Sequence, residues 1–393
     1  MNALDSLLSL PDAEKRERGI LYTPAEIAQQ PATWQQTFAL FRQQKDAIRD
    51  FLSSTGILGS GDKPTVLLIG AGSSDYAAKS LVSLLRRQWS CEVTACASTD
   101  LITEYDRTLR PDRRYLCVSF SRSGDSPEGV AVLQRLLAYH PNIHHMIISC
   151  NRQGRMLGEA AAAEQALGIC LDDAVNDRGL AMTSSFSNMV VFGQCLAHVN
   201  DPDQYGSTLR TLVEAGESLL PAAANFAAQL ARGQYEKACF VGSGALRAVA
   251  QESALKLLEL TAGRILAMSE SALGLRHGPM AALDDRTLFV CYLSARTRVC
   301  AYETALLKEI GTKRLVRSRI AVGRSSKVRL DGWAEDFVST ETRDDLDDDY
   351  RTPVDVIFGQ LLGLFFSLRC GLKPDSPSPN GAISRVVQSL NLY

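Results

Sequence analysis

The first sixty residues carry apolar side chains at helical intervals: Trp34, Phe38, Phe41, Ile48 and Leu52 recur three, four or seven positions apart. Thr23-Pro24-Ala25-Glu26 has the form of a capping box with proline at the first helical position, so residues 1–60 are expected to form an N-terminal helical arm. From Thr65 the period changes. Short β-rich runs at 65–69, 91–97, 115–120, 144–150 and 168–171 alternate with helical segments at 74–89 and 127–139, and a long helix over 183–199 closes the unit. Such alternation predicts βαβ units, that is, a parallel sheet with helices on both faces.

After a second helical stretch, 207–231, the pattern restarts. Ile69-Gly70-Ala71-Gly72 aligns with Val241-Gly242-Ser243-Gly244 at an offset of 172 residues, and each opens a strand, a Gly-x-Gly turn and a helix. A helix over 245–262, strands near 265–268, 287–294 and 318–323, and a helix over 352–371 follow. The expected organisation is an arm (1–60), a first α/β domain (61–200), a helical linker (201–235), a second α/β domain (236–372) and a tail (373–393). The tail begins Lys373-Pro374-Asp375-Ser376-Pro377-Ser378-Pro379-Asn380-Gly381, which excludes helix and central strand.

A length of 393 residues suits two or three domains. The 42 Lys and Arg nearly balance the 44 Asp and Glu, leaving −2, so no global field draws in nucleic acid or an anionic membrane. Any anion has to be held locally. The 10 cysteines include no CxxC pair and lie mostly in apolar runs such as Leu116-Cys117-Val118, which reads as reduced core thiols. Met-Asn-Ala-Leu-Asp places an acid where a signal peptide has positive charge, and no uncharged apolar run reaches the roughly 18 residues of a membrane span. A cytoplasmic protein is expected, with 356–368 as a buried helix.

The most informative segment is Ser121-Arg122-Ser123-Gly124-Asp125-Ser126, between an apolar strand and a helix starting near Pro127. The unpaired N–H groups of that helix start, with three hydroxyls around them, suit a phosphate dianion; a serine-capped helix after a flexible turn is the plainer alternative. Ser73 and Ser74, after the first Gly-x-Gly turn, add a second hydroxyl-rich turn at the end of a neighbouring strand. A dinucleotide fingerprint is broken twice, by Asp75 and Arg247 where a third glycine belongs, and neither turn has the Gly-Lys-Ser/Thr of a Walker loop. No nucleotide cofactor is expected.

Glu252, Lys256 and Glu259 fall on one face of the helix 245–262. They are either an ordinary solvated stripe or, facing a crevice, a base (Glu259) with a lysine that stabilises charge on the neighbouring oxygen. His277, in the loop Leu275-Arg276-His277-Gly278-Pro279, is placed for proton transfer or is structural. The other histidines, His140, His144, His145 and His198, have no partners at ligand spacing, so no metal site is expected. The acidic run from Asp344 to Asp349 is most simply a solvated loop.

With these residues assembled, the chain resembles a tandem sugar isomerase (SIS) domain protein of the galactosamine-6-phosphate deaminase or tagatose-6-phosphate ketose/aldose isomerase (AgaS) family. Six segments carry the resemblance: Gly70–Ser74, Ser121–Ser126, Leu180–Phe186, Ala254–Leu260, Arg276–Pro279 and the tail from Asp375 to Val387. It implies two flavodoxin-like three-layer domains. By similarity to the isomerase half of glucosamine-6-phosphate synthase, it also implies that Ser74, Ser121, Ser123 and Ser126, with Ser73 and the Arg122 main chain, hold the phosphate. Glu259 would be the isomerising carboxylate with Lys256 beside it, and His277 the ring-opening group, reaching a partner subunit's site in a homodimer. Arg385, the nearest match to a tail lysine, is expected among the substrate-binding residues and cannot act as a Schiff-base amine. Tyr292-Leu293-Ser294-Ala295-Arg296 replaces the phosphate loop in the second half, so one sugar phosphate per chain is expected. The activity implied is conversion of galactosamine 6-phosphate to tagatose 6-phosphate and ammonia, without metal or other cofactor. Simple aldose/ketose isomerisation or a non-catalytic sugar-phosphate sensor remain alternatives.

Overall fold

The computed structural model describes residues 1–324, 332–340 and 346–386. Its described residues contain two five-stranded sheets, parallel throughout. The first has the order β2-β1-β3-β4-β5, from strands β1 (Thr65–Gly70), β2 (Val93–Ala97), β3 (Tyr115–Ser121), β4 (Ile143–Ser149) and β5 (Ala166–Cys170). The second repeats it as β7-β6-β8-β9-β10, from β6 (Lys237–Gly242), β7 (Leu266–Ser271), β8 (Thr287–Tyr292), β9 (Ser318–Gly323) and β10 (Asp336–Ser339). The α/β class and the two-domain repeat are as the alternation predicts, and the order is that of flavodoxin-like sheets. Every residue of β3 and of β8 is buried, which is why both read as continuous apolar runs with no alternation.

The repeat extends to backbone detail. Thr65 of β1 pairs with Tyr115 of β3, and Lys237 of β6 with Thr287 of β8, each pair 172 residues apart from its counterpart. The turns after β1 and β6 also match: Gly72 has φ 56° and ψ −124°, Gly244 φ 60° and ψ −130°. At Gly70 a Cβ would lie 2.4 Å from the main chain of Ser74, and at Gly242 one would lie 2.3 Å from the carbonyl oxygen of Leu246. Glycine there lets the helix start close against its strand.

The chain divides into two compact units that cross the linear segments. One comprises Met1–Ala32, Arg178–Thr183 and Thr208–Ala382; the other comprises Thr33–Asp177, Ser184–Ser207 and the chain from Ile383. The N-terminal residues are thus shared out. In the second of these units Trp34 donates to Ser187 Oγ at 2.9 Å and Thr37 to Asn188 Oδ1 at 2.7 Å, and Trp34, Phe41, Ile48 and Leu52 are fully buried. The expected capping box does not form. Thr23 Oγ1 donates to Asp375, and Glu26 accepts the N–H groups of Arg178 and Gly179 at 2.5 and 3.2 Å. Asp375 of the tail also accepts the N–H groups of Tyr22 and Thr23, so a distant carboxylate caps the helix Thr23–Ala28.

Candidate functional site

In the unit that contains the first sheet, β1 and β3 are neighbours and β2 lies on the other side of β1, so the strand order reverses at their carboxyl ends. Both hydroxyl-rich turns lie at that switch point, where open parallel sheets bind ligands. Gly124, with φ 67°, closes the loop after β3. A Cβ on it would lie 3.0 Å from Gly154 Cα. Ser121 Oγ accepts the N–H of Gly124 at 3.0 Å, and Ser123 Oγ accepts that of Asp125 at 3.2 Å. A serine oxygen used in this way still has its own proton to donate to an anion. Ser126 stands at the N-cap of the helix Pro127–Tyr139 without a capping hydrogen bond, its Oγ over Gly129, where a Cβ would come within 2.6 Å of it. The Asp125 carboxylate, which would repel a phosphate, accepts the Arg155 N–H at 2.9 Å.

Asn151, at the end of the adjacent strand, was not among the expected site residues. Its Nδ2 donates to the Ser123 carbonyl at 2.8 Å and to Asp125 Oδ2 at 3.4 Å, which braces the loop from β4. A polar residue just past the next parallel strand was the available signal. Ser73 and Ser74 are buried in the first turn of the helix Ser73–Trp89, whose N-cap, Gly72, offers no side chain. Arg122 is buried and its guanidinium donates to the main-chain carbonyl of Arg385. The Arg385 guanidinium is itself engaged, through Nε to the Asp177 carbonyl at 2.7 Å and through an Nη to Asn176 Oδ1 at 2.7 Å. The tail therefore meets the loop after β3 through the Arg385 main chain, while the Arg385 side chain is held by Asn176 and Asp177.

In the other unit the stripe on the helix Ala245–Leu260 is not a solvated face. Glu252 and Lys256 are 0% exposed. The Lys256 ammonium lies 3.4 Å from Glu252 Oε1 and 2.6 Å from Glu259 Oε2, and only Glu259, with a quarter of its side chain accessible (25%), opens outward. A buried cation without a partner is strongly destabilising, and here two carboxylates compensate it. The Lys256 ammonium, expected to stabilise charge on a substrate oxygen, is covered and donates a charge-assisted hydrogen bond to Glu259. The helix Asp348–Arg369 packs against this one so closely that a Cβ on Gly359 would fall 2.1 Å from Ser253 Oγ.

His277 is exposed, between the turns Gly274–Arg276 and Pro279–Ala282, with Gly278 at φ 120° behind it. Arg276 anchors that loop through Nε to Glu309 at 2.8 Å. The acidic run differs from expectation. Asp344 and Asp345 lie outside the described residues, but Asp348 and Asp349 are buried and Asp347 caps the helix that follows, its carboxylate accepting the Asp349 N–H at 3.1 Å. No helix among the described residues is long and apolar enough to cross a membrane.

Comparison with known proteins decides the family. An AgaS protein of Streptomyces coelicolor is 36% identical over 375 residues, covering 95% of each chain. The chain belongs to the AgaS family of SIS-domain proteins. Another relative of this AgaS-family chain, the D-galactosamine-6-phosphate deaminase AgaS of Escherichia coli, is 31% identical over 374 residues and 95% of each chain. The crystal structure of tagatose-6-phosphate ketose/aldose isomerase from Escherichia coli superposes with a TM-score of 0.84 at 30% identity, over 93% of this chain and 97% of that one. The chain matches no family model.

Proposed function

We propose that this AgaS-family chain is a cytoplasmic enzyme, active as a homodimer, that converts galactosamine 6-phosphate to tagatose 6-phosphate and ammonia. The observation that carries the reading is the part-exposed Glu259 held at 2.6 Å by a fully buried Lys256, a carboxylate fixed in place and open on one side. Ser74, Ser121, Ser123 and Ser126, with the Arg122 main chain, are assigned to the sugar's phosphate, and Glu259 is assigned to the chemistry of its C1–C2 unit. His277 of the partner's chain opens the sugar ring by moving a proton from O1 to O5.

Glu259 then removes the C2 proton of the open-chain amino sugar while the C1 oxygen takes a proton from solvent, giving a neutral enolamine. The resulting carboxylic acid returns its proton to C1, which leaves an iminium at C2, and water hydrolyses that iminium to the ketose and ammonium, the proton taken up at the C1 oxygen thereby returning to solvent with the ammonia. The chain's own contribution is orientation of the carboxylate and local hydrogen-bond donors for the developing charge. A second reading, aldose/ketose isomerisation without loss of nitrogen, is favoured by likeness to the Escherichia coli tagatose-6-phosphate isomerase and uses the same proton shift.

The test is ammonia release from galactosamine 6-phosphate and from glucosamine 6-phosphate by the purified protein, with ketose 6-phosphate assayed in parallel. Ammonia from the galacto compound is the expected result. Interconversion of tagatose 6-phosphate with its aldose, and no ammonia, would replace the deaminase by the isomerase. Sugar phosphate binding without turnover in either assay would overturn both in favour of a sensor.

A further inference from the structure

The second sheet reverses its strand order between β6 and β8, as the first does between β1 and β3, so the second half has its own switch point. The residues there are Leu293-Ser294-Ala295-Arg296, which lead from β8 into the helix Thr297–Lys313. The turn shares one hydrogen bond with the loop after β3. Ser294 Oγ accepts the N–H two residues ahead, that of Arg296, at 3.1 Å, as Ser123 Oγ accepts that of Asp125.

A carboxylate occupies this turn. Asp348 Oδ1 accepts the Ala295 N–H at 2.8 Å and an Nη of Arg351 at 3.1 Å. Asp348 Oδ2 accepts the Ser294 hydroxyl and faces Arg296 Nε at 3.4 Å. One hydroxyl, one main-chain N–H and two guanidiniums thus surround the Asp348 carboxylate, which is 1% exposed, while a second buried carboxylate, Glu303, accepts the Ser294 N–H at 2.7 Å. These are the donor types that recognise a phosphate or a small carboxylate.

We infer that the second half of the chain retains a complete anion site and that Asp348 fills it as a built-in ligand. The inference rests on reading Ser121–Ser126 as a phosphate cradle, and it extends that reading to its structural repeat. It gives a physical reason for one sugar phosphate per chain: the second cradle holds its anion covalently, tethered at the start of the helix Asp348–Arg369. Delete that carboxylate and the site becomes vacant for a free anion of the same size.

Formate is the carboxyl group that Asp348→Ala removes, so it is the probe. Asp348→Ala is expected to lower the melting temperature of the full chain, and formate is expected to restore most of the loss saturably. Sodium chloride at equal ionic strength should not, and neither should formate on the wild type. Asp348→Asn, whose amide still fills the space, should be destabilised and insensitive to formate. A depressed melting temperature that formate leaves unchanged overturns the inference, as does an Asp348→Ala variant as stable as the wild type. If Asp348→Ala does not fold in plain buffer, recovery on refolding in formate supports the inference and failure to recover there, while Asp348→Asn folds, overturns it. Stabilisation of the wild type by galactosamine 6-phosphate, and its loss in Ser123→Ala, reads the first cradle separately, so the two readings fail independently.

Discussion

At the scale of single residues the decisive fact is which charges are covered. Glu259 is the only member of its stripe with an accessible side chain, so Glu259→Gln removes the proposed base and keeps the shape. Turnover should fall by roughly 10²–10⁴-fold, the usual contribution of a positioned acid–base group. Galactosamine 6-phosphate should still raise the melting temperature, since the hydroxyls assigned to the phosphate are untouched; undiminished turnover would remove Glu259 from the mechanism. A second covered group sets a pH dependence. His145 on β4 is buried with no hydrogen-bond partner for Nε2, and burial, with His144 beside it, pushes its imidazole from 6.5 down to about 4. Between those values the unfolded chain binds a proton that the native state refuses, so stability is full above 6.5 and declines as pH falls toward 4. The loss at the acid end amounts to about 3 kcal/mol for a shift of this size. Denaturant titrations at several pH values should show His145→Leu with a shallower decline than the wild type over that range; parallel curves would mean that other groups govern it.

At the scale of elements, the close pair formed by Ala245–Leu260 and Asp348–Arg369 carries Glu259, the carboxylate proposed as the base. Gly359→Ala would drive a methyl into Ser253, where backbone and side chain are both within 3 Å. Overpacking of this kind costs about 1–3 kcal/mol and moves the helix that bears Glu259, so melting temperature and kcat should drop together. A loss of stability with kcat intact would show that the helix position is not critical. Most elements were legible because a fully buried parallel strand followed by a glycine turn leaves a continuous apolar run and a sharp stop. The helices Ser98–Thr108, Arg155–Ala161 and Thr297–Lys313 and the strand β10 were not assigned from the pattern. The first is broken at Glu104, with φ −130°, the second spans 7 residues and β10 only 4, too short for a period to register. Of the site, the hydroxyls and the stripe were visible as residue types. Their partners were not: Asn151, Asn176 and Asp348 lie 28, 209 and 54 residues from the groups they hold, and only the folded chain brings them together. The buried Asp348 looked like a solvated acid because its neighbours in sequence are acidic, whereas its neighbours in space are Ser294 and Arg351.

At the scale of the whole molecule the open question is where His277 acts. Its ring is exposed on a loop whose base is fixed by Arg276 to Glu309, so the imidazole is presented outward by a rigid mount. Such a group completes a site only if something is brought to it. If a second copy is what comes, then each site takes its carboxylate from one chain and its histidine from the other. Two inactive proteins, Glu259→Gln and His277→Asn, then complement on mixing. A mixed dimer pairs one doubly damaged site with one that has both groups intact, so random exchange in an equimolar mixture should restore about a quarter of wild-type turnover. The measurement is ammonia release from the mixture after subunit exchange, against each variant alone. If the histidine served its own chain, every site in the mixture would still lack one group, and the mixture would stay as inactive as its components however long exchange proceeded.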